Sequence, residues 1–414
     1  MELTKVKLGD YLEEFGDGIH GTPNYDENGE YYFINGNNLD NGAILIDSET
    51  KRISSDEYDS IKRNLNNRTL LLSINGTLGR LAYYNGENIA LGKSACFLNF
   101  KENTDRRYFR YILEMKDFRQ YMSKVASGST IKNFSPRQAA DYEFFAPKPD
   151  DQKKIASVLS ALDDKIALNK KMNQKLEAMA KRLYDYWFVQ YDFPDKNGRP
   201  YKTTGGPMTY NPTLKREIPA GWEVKQICDI TKIFNGSTPS TTEEGNYGGE
   251  IVWITPKDLS DQNCKFVYQG ARNITQAGYD SCSTTMVPKG TVVMSSRAPI
   301  GLLSIAQCDL CTNQGFKNMV PNDMTDSKYL YYTIQQHIPQ IQNLGTGTTF
   351  KEVSKDELGR FAILYPPKKL IAAFEEKVAS IFDVQFNKVK EITRLTALRD
   401  KLLPLLMNGQ VTIK

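Results

Sequence analysis

The sequence predicts an α+β fold: two globular regions in pseudo-symmetric tandem, separated by two long helices whose seams pair with each other. Three observations predict it. The phrase SGSTIKNFSP at residues 127–136 returns as TGTTFKEVSK at 346–355. Each copy closes a stretch of short β-like runs, and each stretch is followed by a helical tail whose apolar residues keep heptad spacing.

The repeat extends beyond the phrase. Aligning Gly128 with Gly347 sets an offset of 219 residues, at which Thr130 meets Thr349, Lys132 meets Lys351 and Ser135 meets Ser354. Downstream the offset holds without a gap: Pro147 falls on Pro366, Ile155 on Phe374, Leu162 on Ile381, Leu176 on Leu395 and Leu183 on Leu402. Upstream it drifts as loops require, yet GTP (21–23) pairs with STP (237–239) and FINGNNL (33–39) with WITPKDL (253–259). LLSINGTLGRLA (71–82) likewise pairs with VMSSRAPIGLLS (293–304). Self-similarity at one long period means one unit written twice.

The elements follow in order. Residues 1–148 form the first region, in which YYFI and LLLSI sit among turns such as NGNN and NG, a pattern of short strands on looped scaffolds. SPRQ (135–138) and SKDE (354–357) have the Ser-x-x-Gln/Glu form of a capping box, so each repeated phrase leads into a short helix. Residues 149–190 form the central long helix. Its seam is Ile155, Leu159, Leu162, Ile166, Asn169, Asn173, Leu176, Ala180, Leu183 and Trp187. Residues 191–366 hold a connector rich in Gly, Pro and charge, then the second region, which restarts at REIPAGWEV (216–224). Residues 367–414 copy the helix, with the seam Phe374, Val378, Ile381, Gln385, Lys388, Ile392, Leu395, Arg399, Leu402 and Leu406.

A sustained seam calls for another helix, although a helix packed on its own globular region would also carry an apolar stripe. Antiparallel pairing with the centres opposed sets Ile155 against Leu406 and Asn173 against Lys388. About 40 helical residues make a spacer of roughly 60 Å.

Composition narrows the function. A chain of 414 residues, 40% hydrophobic and 25% charged, is long enough for two ordinary cores. MELTKVKLGDYLEE lacks the apolar core of a signal peptide, and no apolar run approaches the roughly 20 residues that span a bilayer, so a cytoplasmic protein without membrane contact is expected. The six cysteines sit unevenly, which excludes a disulfide framework shared by both repeats. The pair Cys308 and Cys311 lacks two further ligands at zinc-site spacing, and His20 and His337 do not supply them, so no metal site is expected. A net charge of +4 permits nucleic acid without requiring it.

Catalytic signatures are missing. YNPTL (210–214) lacks the second proline and the aromatic of an amino-methyltransferase motif, and LGTGTT (344–349) lacks the lysine of a phosphate loop. The adjacent carboxylates Asp163 and Asp164, and Glu375 and Glu376, read as solvated helix faces. The chain binds and positions. It is not expected to be an enzyme.

Four stretches in order, DDQKKIASVLSALDDKI, YDYWFVQYDFPDKNGRPYKTTGG, IPAGWEV and ALRDKLLPLLMNGQV, give a resemblance that covers essentially the whole chain. They resemble the DNA-specificity subunits of Type I restriction-modification systems. The resemblance implies two target-recognition domains, each reading one half of a split double-stranded DNA sequence, with two conserved helices, forming an antiparallel coiled coil, as the ruler between them. It implies as partners two modification (methyltransferase) subunits, which use S-adenosylmethionine, and restriction/translocase subunits, which use ATP and magnesium. No cofactor is expected in this chain. Two departures stand out: PPKKLIAAFEE opens the second helix without the family's Glu-Gln pair, and GKSA (92–95) stands where the second region has TNQG (312–315).

Phosphate contacts call for cations and hydroxyls, and base edges for amides or guanidinium groups. In the first domain the loops offer Thr22, Asn24, Asn37, Asn38, Lys93, Ser129, Thr130 and Lys132. In the second they offer Thr238, Lys257, Arg297, Asn313, Gln314, Thr348, Thr349 and Lys351. For each the structural alternative is a turn residue that only satisfies loop backbone. The rival for the whole chain is a two-domain coiled-coil scaffold that assembles protein partners without reading DNA.

Overall fold

The computed structural model describes residues 2–128, 132–262, 264–347 and 351–413. It divides into two compact units, Met1–Leu168 with Ile392–Lys414, and Asn169–Glu391. Each of the two long helices, Pro149–Tyr184 and Lys368–Met407, contributes a segment to both units.

In the first unit an antiparallel sheet is ordered Leu12–Asp17, Ala95–Phe100, Thr69–Ser73, Leu81–Tyr83, with Phe97 between Gly16 and Leu71. A second sheet pairs Tyr31–Ile34 in parallel with Ile89–Leu91. Thr4–Lys7 closes on Glu143–Ala146. The second unit repeats the plan: Thr231–Asn235, Phe316–Pro321, Val292–Ser295 and Leu303–Ala306 form the antiparallel sheet. Trp253–Ile254 runs parallel to Cys311–Thr312, and Glu223–Gln226 closes on Ala362–Tyr365. One strand is added, Phe266–Val267, parallel to Leu303–Ala306. Strands buried on both faces explain continuous apolar runs such as LLL (70–72), whose three side chains are fully buried.

In the first unit Leu70, Leu72, Leu98, Phe100, Tyr108 and Phe109 pack with Ile155 and Leu159 of one long helix and Leu406 and Met407 of the other. In the second, Val292, Met294, Ile305, Met319 and Tyr332 pack with Tyr184, Trp187 and Phe188 and with Phe374, Val378 and Phe382. The helices therefore both pair and pack on the globular regions, and the two accounts of the apolar stripe are complementary.

Among the seam residues, Ile155, Leu159, Ile166, Phe374 and Val378 are buried. Leu162, Asn173, Leu176, Leu183, Ile381, Lys388, Ile392, Leu395 and Leu402 are half-buried. The central polar layer differs from the expected one. Asn173 Nδ2 donates to the Gln385 carbonyl at 3.3 Å, and Gln385 Nε2 donates to the Asn173 carbonyl at 3.2 Å. Lys388 instead pairs with Glu391 at 3.2 Å, because an ammonium at the seam edge keeps its charge near water by turning outward. Asn169 is fully buried with no partner for its amide among the described residues.

Two carboxylates also differ from the solvated faces expected. Asp163 accepts from Tyr111 Oη at 2.7 Å and Arg399 Nη1 at 2.8 Å, with Arg110 at 3.3 Å. Glu375 accepts the Lys328 and Tyr329 N–H groups at 2.7 and 2.8 Å, capping the helix Ser327–Asn343, and pairs with Lys328 Nζ. An anion at a helix N-terminus satisfies donors that the helix leaves open. Heptad spacing alone cannot show this, because the partners come from other elements.

Lys265 is enclosed by Glu177, the Tyr332 hydroxyl at 3.2 Å and the Phe382 ring 3.7 Å away. Burial lowers its pKa to about 8, outweighing the opposing pull of Glu177. Between about pH 8 and its ordinary value of 10.5 only the unfolded chain binds the proton, so the contribution of this lysine to stability rises with pH across that window. Urea unfolding of the wild type and Lys265→Met is expected to show the wild type gaining on the variant above about pH 8. A difference independent of pH contradicts the assignment.

Candidate nucleic-acid interface

In each unit five loops meet at the ends of the parallel pair and the central antiparallel strands, and the same main-chain bonds join them. The first loop leaves a strand through a glycine. A Cβ on Gly18 would stand 2.0 Å from the Leu91 carbonyl oxygen, and one on Gly236 2.1 Å from that of Asn313, so only glycine fits. The next residue then donates to the crossing strand, Ile19 to Leu91 and Ser237 to Thr312, both at 2.9 Å.

The second loop is a side-chain-capped turn. Asn35 N–H donates to Asn38 Oδ1 at 3.0 Å, and Thr255 N–H to Asp258 Oδ2 at 2.7 Å. The third is built on a buried serine that sequence reasoning missed. Ser73 Oγ accepts from Arg80 N–H at 2.8 Å and donates to the Thr77 carbonyl at 2.7 Å. Ser295 Oγ accepts from Leu302 N–H at 2.8 Å and donates to the Pro299 carbonyl at 2.6 Å. The turns between share left-handed positions, Gly76 and Gly79 at φ 72° and 84°, Ala298 and Gly301 at 46° and 101°. Both serines lie in the aligned stretches, so an identical polar residue among apolar matches was the signal.

The fourth loop donates back to the parallel strand, Gly92 to Ile34 and Asn313 to Ile254, each at 2.9 Å. These bonds equate Gly92 with Asn313, one residue along from the sequence match of GKSA with TNQG. They likewise equate Ile19 with Ser237, so Thr22 is no counterpart of Thr238. The fifth loop is the repeated phrase. Ser127 and Asn133 exchange main-chain bonds at 2.9 and 2.8 Å, as do Thr346 and Glu352 at 3.1 and 2.9 Å. It is stitched to the third loop by Phe134 N–H to Ile74 and by Val353 N–H to Ser296. Both capping boxes form beyond it, Ser135 with Gln138 and Ser354 with Glu357, and the Ser354 bonds hold the Glu357 carboxyl below its ordinary pKa.

The candidate residues divide on this frame. Ser129, Thr130, Thr348 and Thr349 lie outside the described residues. Asn24 is tied to Glu57 through its N–H and its amide, Asn38 serves its own turn and Leu45, and Asn313 accepts from Gly315 N–H at 2.9 Å. Thr22 is exposed. Thr238 donates to Gln314 Oε1, and Arg297 stands 3.7 Å from Glu352. Glu352 is also held by buried Lys317 at 3.1 Å, an anchor not foreseen from sequence. Asn37, Lys93, Lys132, Lys257 and Lys351 are exposed, with no side-chain partner among the described residues. Exposed cations and amides on a fixed frame suit phosphate and base-edge contacts.

Another basic cleft, in the first unit, is lined by Arg68, Arg106, Arg107 and Lys153. Its arginines are engaged, Arg68 with Glu13, Arg107 with Asp105 and Arg106 with the Thr69 and Tyr84 carbonyls.

The duplicated α+β plan carries the same loop frame twice, with exposed donors on each copy. The chain belongs to the family described as Type I restriction modification DNA specificity domain, which it matches twice, at residues 2–178 and 219–397. It is similar to the Type I restriction enzyme MjaIX specificity subunit of Methanocaldococcus jannaschii, 39% identical over 181 residues. That match covers 42% of this chain and 41% of the relative, so it spans less than half of that protein's length. The Type I restriction enzyme HindI specificity subunit of Haemophilus influenzae is 26% identical over 366 residues, 76% of each chain. In fold, it is similar to the Type-I restriction-modification system S subunit from M. genitalium, with a TM-score of 0.62 at 17% identity over 98% of this chain and 96% of the other.

Replacing Ser73 or Ser295 by Ala removes the acceptor that a buried serine offers to a partly buried main-chain N–H in equivalent turns. Each change is expected to cost about 1–3 kcal/mol in urea unfolding. Losses near zero would show that the serines do not hold the loops.

Proposed function

We propose that this chain is the specificity component of a Type I restriction-modification complex, in which each unit reads one half of a two-part duplex DNA target through its loop frame. The observation that carries the reading is the double occurrence of that frame, with exposed lysines on both copies that have no side-chain partner among the described residues, in a chain of the specificity-domain family. The chain performs no covalent chemistry. Two modification subunits using S-adenosylmethionine and restriction/translocase subunits using ATP and magnesium supply it, docked along the long helices. The reading places the complex in the cytoplasm, where DNA is reached. No helix among the described residues is long and apolar enough to cross a membrane.

Neutralising phosphates makes binding salt-dependent. Filter binding of the purified chain with its modification subunits to duplex DNA is expected to weaken at least about tenfold between about 50 and 200 mM salt. With labelled S-adenosylmethionine the chain alone should transfer no label, whereas the assembled complex should methylate a two-part sequence. Salt-independent binding, or methyl transfer by the isolated chain, contradicts the proposal.

A further inference from the structure

The two frames share their main-chain bonds but not the side chains they carry. Four positions can be equated by the bonds on either side. Asn37 and Lys257 both sit within the capped turn of the second loop. Asn75 and Arg297 both stand two residues beyond the turn serine. Lys93 and Gln314 both follow the residue that donates to the parallel strand. Lys132 and Lys351 both precede the residue of the fifth-loop bridge. At three of these positions the chemistry changes between copies, and at the fourth it is retained.

We infer that the three changed positions select bases and that the retained lysine positions the duplex through phosphate, an assignment that rests on the function proposed above. The physical ground is that every duplex offers the same phosphates, whereas two half-sites differ in their base edges. A retained cation suits the common part of the ligand, and a changed side chain suits the variable part. The frame permits such changes because its main-chain bonds, the Ser73 and Ser295 turns included, do not involve the side chains at these positions.

The chemistry of each side chain fixes what it selects. Lys93, Lys257 and Arg297 offer donors only, which match the paired N7 and O6 acceptors of guanine. Asn37 and Asn75 carry a donor and an acceptor on one amide, which match N6 and N7 of adenine. Arg297 is free to turn to a base because Lys317 remains to neutralise Glu352. Thr238 holds the carbonyl oxygen of Gln314 and leaves its Nε2 as a donor, which makes Thr238 a positioning residue. The half read by the second unit is accordingly richer in guanine than the half read by the first.

The test uses the full chain assembled with its modification subunits, and maps methylated sites by sequencing. The wild type should give a two-part motif. Lys93→Gln should exchange guanine for adenine at one position of one half, and Lys257→Asn should do the same in the other half, each by about tenfold or more in preference. The untouched half should stay the same in each case. Lys132→Ala and Lys351→Ala should leave the motif unchanged and each reduce the slope of log affinity against log salt by about one. Salt-dependent binding of every variant to random duplex shows that it is folded. A two-part wild-type motif that neither exchange alters overturns this inference and spares the proposed function, as does a changed motif in Lys132→Ala or Lys351→Ala. A wild-type complex with no two-part motif overturns both.

Discussion

Main-chain hydrogen bonding among five loops is the constraint on which the rest of the molecule depends. A loop that presents a side chain to a ligand must keep its own N–H and carbonyl groups satisfied, since each one left open in a buried setting costs about 1–3 kcal/mol. Here the satisfaction is supplied by strands and by a few inward side chains. Ser73 and Ser295 close the turns, Gly18 and Gly236 let loop and strand approach, and the parallel strand accepts from Gly92 and Asn313. Presented side chains are thereby relieved of structural work and can differ between copies.

The helices face a different problem. Each must offer an apolar surface to its globular region and to its helical neighbour, and polar residues in the seam must be compensated. The amide nitrogens of Asn173 and Gln385 are compensated by one another's main-chain carbonyls, whereas Asp163 and Glu375, beside the seam, are compensated by groups from other elements. A single polar layer in a paired seam fixes register at a cost in stability, and Asn169, buried without a partner among the described residues, adds to that cost.

Much of this was legible in the sequence. The offset between the two phrases announced the duplication, and heptad steps placed both long helices, because repeats and long periodic segments are local signals. The capping boxes were legible for the same reason. The partner of Asn173 was not, since an antiparallel seam can slide by one turn without changing its apolar pattern. Asp163 was read as solvated because its partners Tyr111 and Arg399 are remote in sequence. In the loops the residue types were visible but their allegiance was not. Asn24, Asn38 and Asn37 look alike in sequence, yet the side chains of the first two are committed to the fold and only the third is left without a side-chain partner among the described residues.

The central claim is that the looped end of each unit, and no other basic surface, meets DNA. The most direct measurement is a structure of the assembled complex on its own target duplex. The account predicts Lys93 in the first unit, and Lys257 and Arg297 in the second, at base edges in the major groove, with Lys132 and Lys351 at phosphates. A duplex lying instead across the cleft of Arg68, Arg106, Arg107 and Lys153, with the loop frames facing solvent or protein, would contradict it.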